Sequence, residues 1–182
     1  MVDDWICLTV IPTISRSYTA PMSQRTTLAD GYAIREATTA DIPALVHHRL
    51  AMFAEMGVQV DRQAVERAFT TWLESHLPTG TYRGWLVNAS DGMVVAGAGI
   101  TLLPWPPGPR ELSGRLPIVY NVFTEQSHRR RGLARMLMDS IHQWCREEGH
   151  SVVGLAASAE GRSVYESLGY RESPQPYMFL AL

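Results

Sequence analysis

His128-Arg129-Arg130-Arg131-Gly132-Leu133-Ala134 is the segment of this 182-residue chain whose residue types most clearly suggest chemistry. It follows a β-branched and aromatic run, Ile118 to Thr124, and leads into Leu133, Met136, Leu137, Ile141, Trp144 and Cys145, which recur at helical spacing. The cluster therefore lies where a strand turns into a helix. A helix N-terminus offers amide donors without intrahelical partners and a partial positive charge, and arginines add bidentate donors for phosphate oxygens. Gly132 and Ala134 are small enough for a ligand to reach the backbone. The chemistry expected is anion binding, and a pyrophosphate fits it. An arginine triplet taken alone more often lies on a solvated surface. The apolar strand just upstream and the two small residues favour the ligand.

Other candidates carry less. His47 and His48 are adjacent on an amphipathic stretch, so they point to different faces and cannot make the i, i+4 pair of a helical metal site; no metal is expected. Val94-Val-Ala-Gly97-Ala-Gly99 opens like a dinucleotide-binding turn, but Leu102 stands at the third glycine position and prolines follow where a helix should start. That reading is rejected. His128 to Arg131 could also be a nucleic-acid patch, which would need further basic residues and stacking aromatics on the same face. Sixteen basic side chains against eighteen acidic ones leave a net charge of −2, so no nucleic-acid partner is expected.

The elements that must position the cluster are legible in turn. Tyr32 to Glu36 alternates like a strand, and Thr38, Thr39 and Asp41 before Pro43 signal a helix start. Leu45, Val46, Leu50, Phe53 and Met56 mark a first amphipathic helix ending at Gly57; Val65, Ala68, Phe69, Trp72, Leu73 and Leu77 mark a second, ending at Pro78 and Gly80. Trp85 to Val87 and Met93 to Leu103 flank the turn Ser90-Asp91-Gly92, which predicts a hairpin. Pro104, Pro106, Pro107 and Pro109 predict an exposed loop. After the strand and long helix of the cluster come a strand over Val152 to Ala156, a short helix through Val164 and Leu168, and a last strand, Tyr177 to Leu180. The predicted order is β, α, α, β, β, β, α, β, α, β.

Length and a composition of 46% hydrophobic and 19% charged residues suit one compact domain. We place it at 29–182, with 1–28 as an N-terminal extension that is disordered or packed as one strand. The apolar run Trp5 to Ile11 follows Asp3 and Asp4 and is far shorter than the roughly 20 residues that span a bilayer, so no export signal or membrane partner is expected. Cys7 and Cys145 read as free thiols in a reducing compartment, and the expected location is cytoplasmic.

The motifs from Asn121 to Tyr170 resemble the GNAT acetyltransferases. In that family a strand is followed by an Arg/Gln-x-x-Gly-x-Gly/Ala turn, filled here by Arg129, Gly132 and Ala134, and Tyr165-Glu-Ser-Leu-Gly-Tyr170 is similar to its closing Tyr-x-x-x-Gly-aromatic element. The resemblance implies an α/β fold with a central mixed, mostly antiparallel sheet flanked by helices. It also implies acetyl-CoA as cosubstrate, with the backbone of Val122, Phe123 and Thr124 pairing with the pantetheine arm. Arg129, Arg130, Arg131, Gly132, Leu133, Ala134 and Arg135 would serve the pyrophosphate, and Ser158 stands where many members have asparagine. Gln126 replaces a common proline. Val153 replaces a glutamate that some members use as general base.

The activity this implies is transfer of an acetyl group to a primary amine of a small molecule or protein by direct attack on the thioester, with a small-molecule or peptide amine as the acceptor partner. A homodimer is compatible with it. A non-catalytic acyl-CoA sensor shares the cofactor motif and is the alternative. Tyr165 is the candidate general acid, because a phenol with an ordinary pKa of about 10 can return a proton to the CoA sulfur. Glu125, at the end of the strand along which the thioester would lie, is the candidate base. Arg49 and Glu55 are candidates for the acceptor wall, which in the family is built by the first two helices.

Overall fold

The computed structural model describes residues 26–27, 31–174 and 180. Six strands form one sheet in chain order: β1 (Thr26–Thr27), β2 (Ala33–Glu36), β3 (Tyr82–Asn88), β4 (Val94–Pro104), β5 (Arg115–Thr124) and β6 (Gly154–Leu155). β1 to β5 run antiparallel to their neighbours, and β6 joins β5 in parallel, with helix α3 (Leu133–Glu147) as the crossover. The sheet is thus mixed and mostly antiparallel, as the resemblance implied. Of the expected last strand, Tyr177 to Leu180, only Leu180 is among the described residues, exposed and outside any strand. The run Trp5 to Ile11 also lies outside them.

Helices cover both faces. α1 (Ile42–Glu55) and α2 (Arg62–His76) bury Ile42, Leu45, Val46, Leu50 and Leu73 against Tyr82 and Leu86 of β3. On the other face, Leu133, Leu137, Met138, Ile141, Trp144 and Cys145 of α3 pack on Trp85, Val87, Ala98, Ile100 and Val119. A short helix, α4 (Arg162–Ser167), leans on the α3 side through Tyr165. The period of two in β3 decides this partition: Tyr82 and Leu86 point one way, Trp85 and Val87 the other.

Local signals hold the helix starts. The Asp41 carboxylate accepts from the Thr38 amide and hydroxyl at 2.8 and 2.9 Å before α1, and Asp61 accepts from the Ala64 amide at 3.0 Å before α2. A guanidinium fork from Arg35 at 2.7 and 2.8 Å holds the Asp41 carboxyl down at about 2. Gly97 and Gly99 have their explanation here. A Cβ on Gly99 would lie 2.1 Å from the Tyr82 hydroxyl, and one on Gly97 would lie 2.8 Å from His48 Nδ1. These glycines admit large side chains from the α1 face, which is why the pattern looks like a dinucleotide turn without being one.

Three expected strands differ in extent, and the first, β3, runs over Tyr82–Asn88, beyond Trp85 to Val87 on both sides. β5 begins at Arg115, before Ile118, and carries Pro117 without interruption because β6 pairs only with Ile118 and Val119. The strand predicted over Val152 to Ala156 is ordered as β6 only at Gly154 and Leu155. In the proline-rich loop, Gly108 and Glu111 exchange backbone hydrogen bonds at 2.9 and 3.1 Å. The buried Glu111 carboxylate accepts from the Ser113 and Ser151 amides, fastening the loop to the approach of β6.

Candidate functional site

β5 changes character at Asn121. Gly97 of β4 faces Phe123 and Gly99 faces Tyr120, so Asn121 and Val122 together oppose Ala98 in a β-bulge. Asn121 takes the left-handed conformation, with φ of 55°, which asparagine tolerates better than most residues. The bulge turns Asn121 and Phe123 toward α1, while Val122 packs with the α3 side. Because β6 pairs no further than Val119, the edge of β5 from Tyr120 to Thr124 has no strand beside it among the described residues. The backbone groups here that point away from β4 have no strand partner among the described residues.

The chain then turns sharply. A 3-10 turn, Gln126–His128, leads to Arg130 at φ 60° and Gly132 at φ 77°, and α3 begins at Leu133. Alternating left-handed residues before a helix turn successive amides into one concavity. Among the described residues no side chain caps α3 and a Cβ on Gly132 would meet nothing within 4 Å, and the first turn holds no acidic residue. Arg130 and Arg131 are exposed and make no ion pair or side-chain hydrogen bond among the described residues. The concavity is open, uncapped and positively charged.

Not all arginines of the cluster point there. Arg129 donates to both oxygens of Glu55 at 2.5 Å and to the Thr124 carbonyl at 2.9 Å, tying the end of α1 to the turn. Arg135 donates to Ser167 Oγ at 2.6 Å and links α3 to α4. Leu133 is buried, Ala134 is half-buried, and both lie in the first turn of α3. Ser158 Oγ accepts from the Gly161 amide at 3.2 Å, which shapes the entry to α4.

Tyr165 projects from α4 into partial burial, edge-on to Tyr170 with ring centroids 5.9 Å apart. Burial raises its pKa, so the phenol keeps its proton at neutral pH. Its hydroxyl makes no hydrogen bond among the described residues, whereas Tyr170 is held by His142 Nε2 at 2.8 Å. Glu125, just after the end of β5, is 2.8 Å from His47 Nε2. The sequence offers His47 only as half of an adjacent histidine pair, because its partner lies 78 positions away and no local signal reports it. Its neighbour His48 is 2% exposed and rests 5.1 Å from the Phe123 ring. Arg49 donates to Asn121 Oδ1 at 2.7 Å, so α1 grips the bulge directly. Among the described residues, no group of three side chains is placed to hold a metal ion.

Residues 48–170 match the Acetyltransferase (GNAT) family. The fold is similar to that of a GCN5-related N-acetyltransferase from Ralstonia eutropha JMP134, with 28% identity and a TM-score of 0.77, over 82% of this chain and 99% of that one. It is also similar to a predicted acetyltransferase with acetyl-CoA from Clostridium acetobutylicum (23% identity, TM-score 0.76, 82% and 96% covered). A third similar structure, an aminoglycoside N-acetyltransferase in complex with CoA, has 17% identity and a TM-score of 0.65, with 82% and 94% covered. No curated protein matches the chain in sequence.

Proposed function

The chain belongs to the GNAT acetyltransferase family, and from that premise we propose that it transfers the acetyl group of acetyl-CoA to a primary amine by direct attack of the amine on the thioester. The observation that carries the reading is the acid-free start of α3, without a side-chain cap among the described residues, behind two left-handed residues and next to a strand edge that no described strand pairs. The amides of Gly132, Leu133, Ala134 and Arg135, with Arg130 and Arg131 above them, suit a pyrophosphate. Arg129, with its amide bonded to the Gln126 carbonyl and its guanidinium to Glu55 and the Thr124 carbonyl, serves the cofactor by holding the turn in shape. Val122, Phe123 and Thr124 suit an amide-bearing arm that adds along the edge as a strand would. Ser158, tied into the entry of α4, acts on the cofactor through that turn.

In this reading Glu125, oriented by His47, takes the proton that the attacking nitrogen must lose, directly or through water. The nitrogen lone pair forms the new C–N bond. An amide of the bulged strand stabilises the charge gathering on the carbonyl oxygen. The C–S bond then breaks and Tyr165 gives its proton to the departing sulfur. The chain contributes orientation and two placed proton groups, and the thioester supplies the activated acyl group. The acceptor is a small-molecule or peptide amine. The aminoglycoside enzyme shares the fold at an identity too low to carry its acceptor over.

Gly132→Glu tests the cofactor site, because it puts bulk and negative charge where the pyrophosphate would lie. Calorimetric titration should show acetyl-CoA binding lost, with circular dichroism unchanged, and wild-type affinity should weaken as salt rises. Undiminished affinity in the folded variant would remove the assignment.

A further inference from the structure

Arg49 sits in the wall between α1, α2 and the bulge of β5, and its surroundings are unusual for a cation. Its guanidinium carbon lies 4.9 Å from the ring centroid of Phe53 and 4.7 Å from that of Phe69. One amino group donates to Asn121 Oδ1 at 2.7 Å, a neutral acceptor that leaves the charge unbalanced. Every ion pair among the described residues leaves Arg49 out, and Glu55 and Glu125, at the ends of α1 and β5, pair with Arg129 and His47. Burial works against the charged form, and the groups that act on it electrostatically are the phenols of Tyr82 and Tyr120; burial pushes the Tyr82 phenol up to about 12, so it keeps its proton. A guanidinium keeps its charge under such conditions. It therefore stands half-desolvated with unused donors, one residue from the strand edge assigned above to the thioester.

Resting on that assignment, we propose that Arg49 binds a carboxylate of the acceptor, so that the substrate is a small amine carrying a carboxylate, of the amino-acid class. A guanidinium fork matches a carboxylate bidentately. The rings of Phe53 and Phe69 pack against the guanidinium and narrow the directions from which an anion can reach it, which restricts where the amine points. Asn121 occupies one donor and keeps the fork turned to the bulge. A polycationic acceptor is disfavoured by the same charge.

The test measures kcat/KM for free L-amino acids with apolar, polar and charged side chains, each beside its own C-terminal amide, in the wild type and in Arg49→Met and Arg49→Lys. Taking the acid-to-amide ratio within each protein and comparing it between proteins cancels the different basicities of the two amines. The ratio should fall by about 10²-fold in Arg49→Met and by less in Arg49→Lys, which keeps charge but not the fork. Titration of the acetylated product acid against its amide, with CoA present, should show the same preference at equilibrium. An unchanged ratio, an equal loss for acid and amide, or no turnover of any acid by protein that binds acetyl-CoA overturns the carboxylate assignment alone. If wild-type protein does not bind acetyl-CoA, the reading beneath it falls as well.

Discussion

Tyr165 joins two roles in one side chain: its ring fills space beside Tyr170 and the α3 side of the core, and its hydroxyl has no protein partner among the described residues. A packing tyrosine would ordinarily spend its hydroxyl on a hydrogen bond, as Tyr170 does with His142. Replacement by phenylalanine separates the roles. Tyr165→Phe should fold and bind acetyl-CoA as the wild type does, with kcat lowered by roughly 10² to 10⁴, the usual worth of a positioned acid. Parental turnover at neutral and alkaline pH, with chemistry rate-limiting, would leave Tyr165 a packing residue. Its candidacy was legible because the spacing to Gly169 and Tyr170 is local. The pairing of Glu125 with His47, and of Arg129 with Glu55, was not legible, since each joins residues 78 or 74 positions apart.

At the scale of elements, the sheet depends on β4, whose glycines let α1 and β3 side chains press close. Gly99→Ala should lower stability by about 1 to 3 kcal/mol, because its Cβ would fall within 2.7 Å of three Tyr82 atoms that are themselves fully enclosed. Gly108→Ala is the control: its nearest neighbour would be a carbonyl at 3.9 Å, and its urea midpoint should match the wild type. Equal midpoints for all three proteins would show that the core yields at Tyr82. The periodicities of α1, α2 and α3 were plain because burial of one helix face writes a repeat into the sequence. β6 was over-extended because Val152 to Ala156 has strand-forming residues, while the pairing available stops after Gly154 and Leu155.

At the scale of the whole molecule, one buried base should govern acid stability. His48 is drawn from 6.5 to about 4, first by burial and then by the neighbouring His47, with Glu125 opposing. Between those values the unfolded chain binds a proton that the native chain refuses, so stability falls as pH falls, by at most about 1.4 kcal/mol per unit. Above 6.5 this contribution is complete. Asp41 acts in the same direction at lower pH, between 3.8 and about 2. His48→Leu should therefore flatten the loss of urea resistance between pH 6.5 and 4 relative to the wild type. An identical slope in both proteins would place the acid sensitivity elsewhere.

The sequence by itself determined the element order from Tyr32 to Leu168, the turn before α3, and the family, because each is recorded in residues close together along the chain. Only the tertiary structure decided that Arg129 turns away to Glu55, that His47 meets Glu125, and that Arg49 reaches the bulge at Asn121. These contacts form where α1 crosses the end of β5. The reason is physical: a helix start or a hairpin is selected by neighbours within a few positions, whereas a charge finds its partner only after the sheet has brought distant segments into one layer.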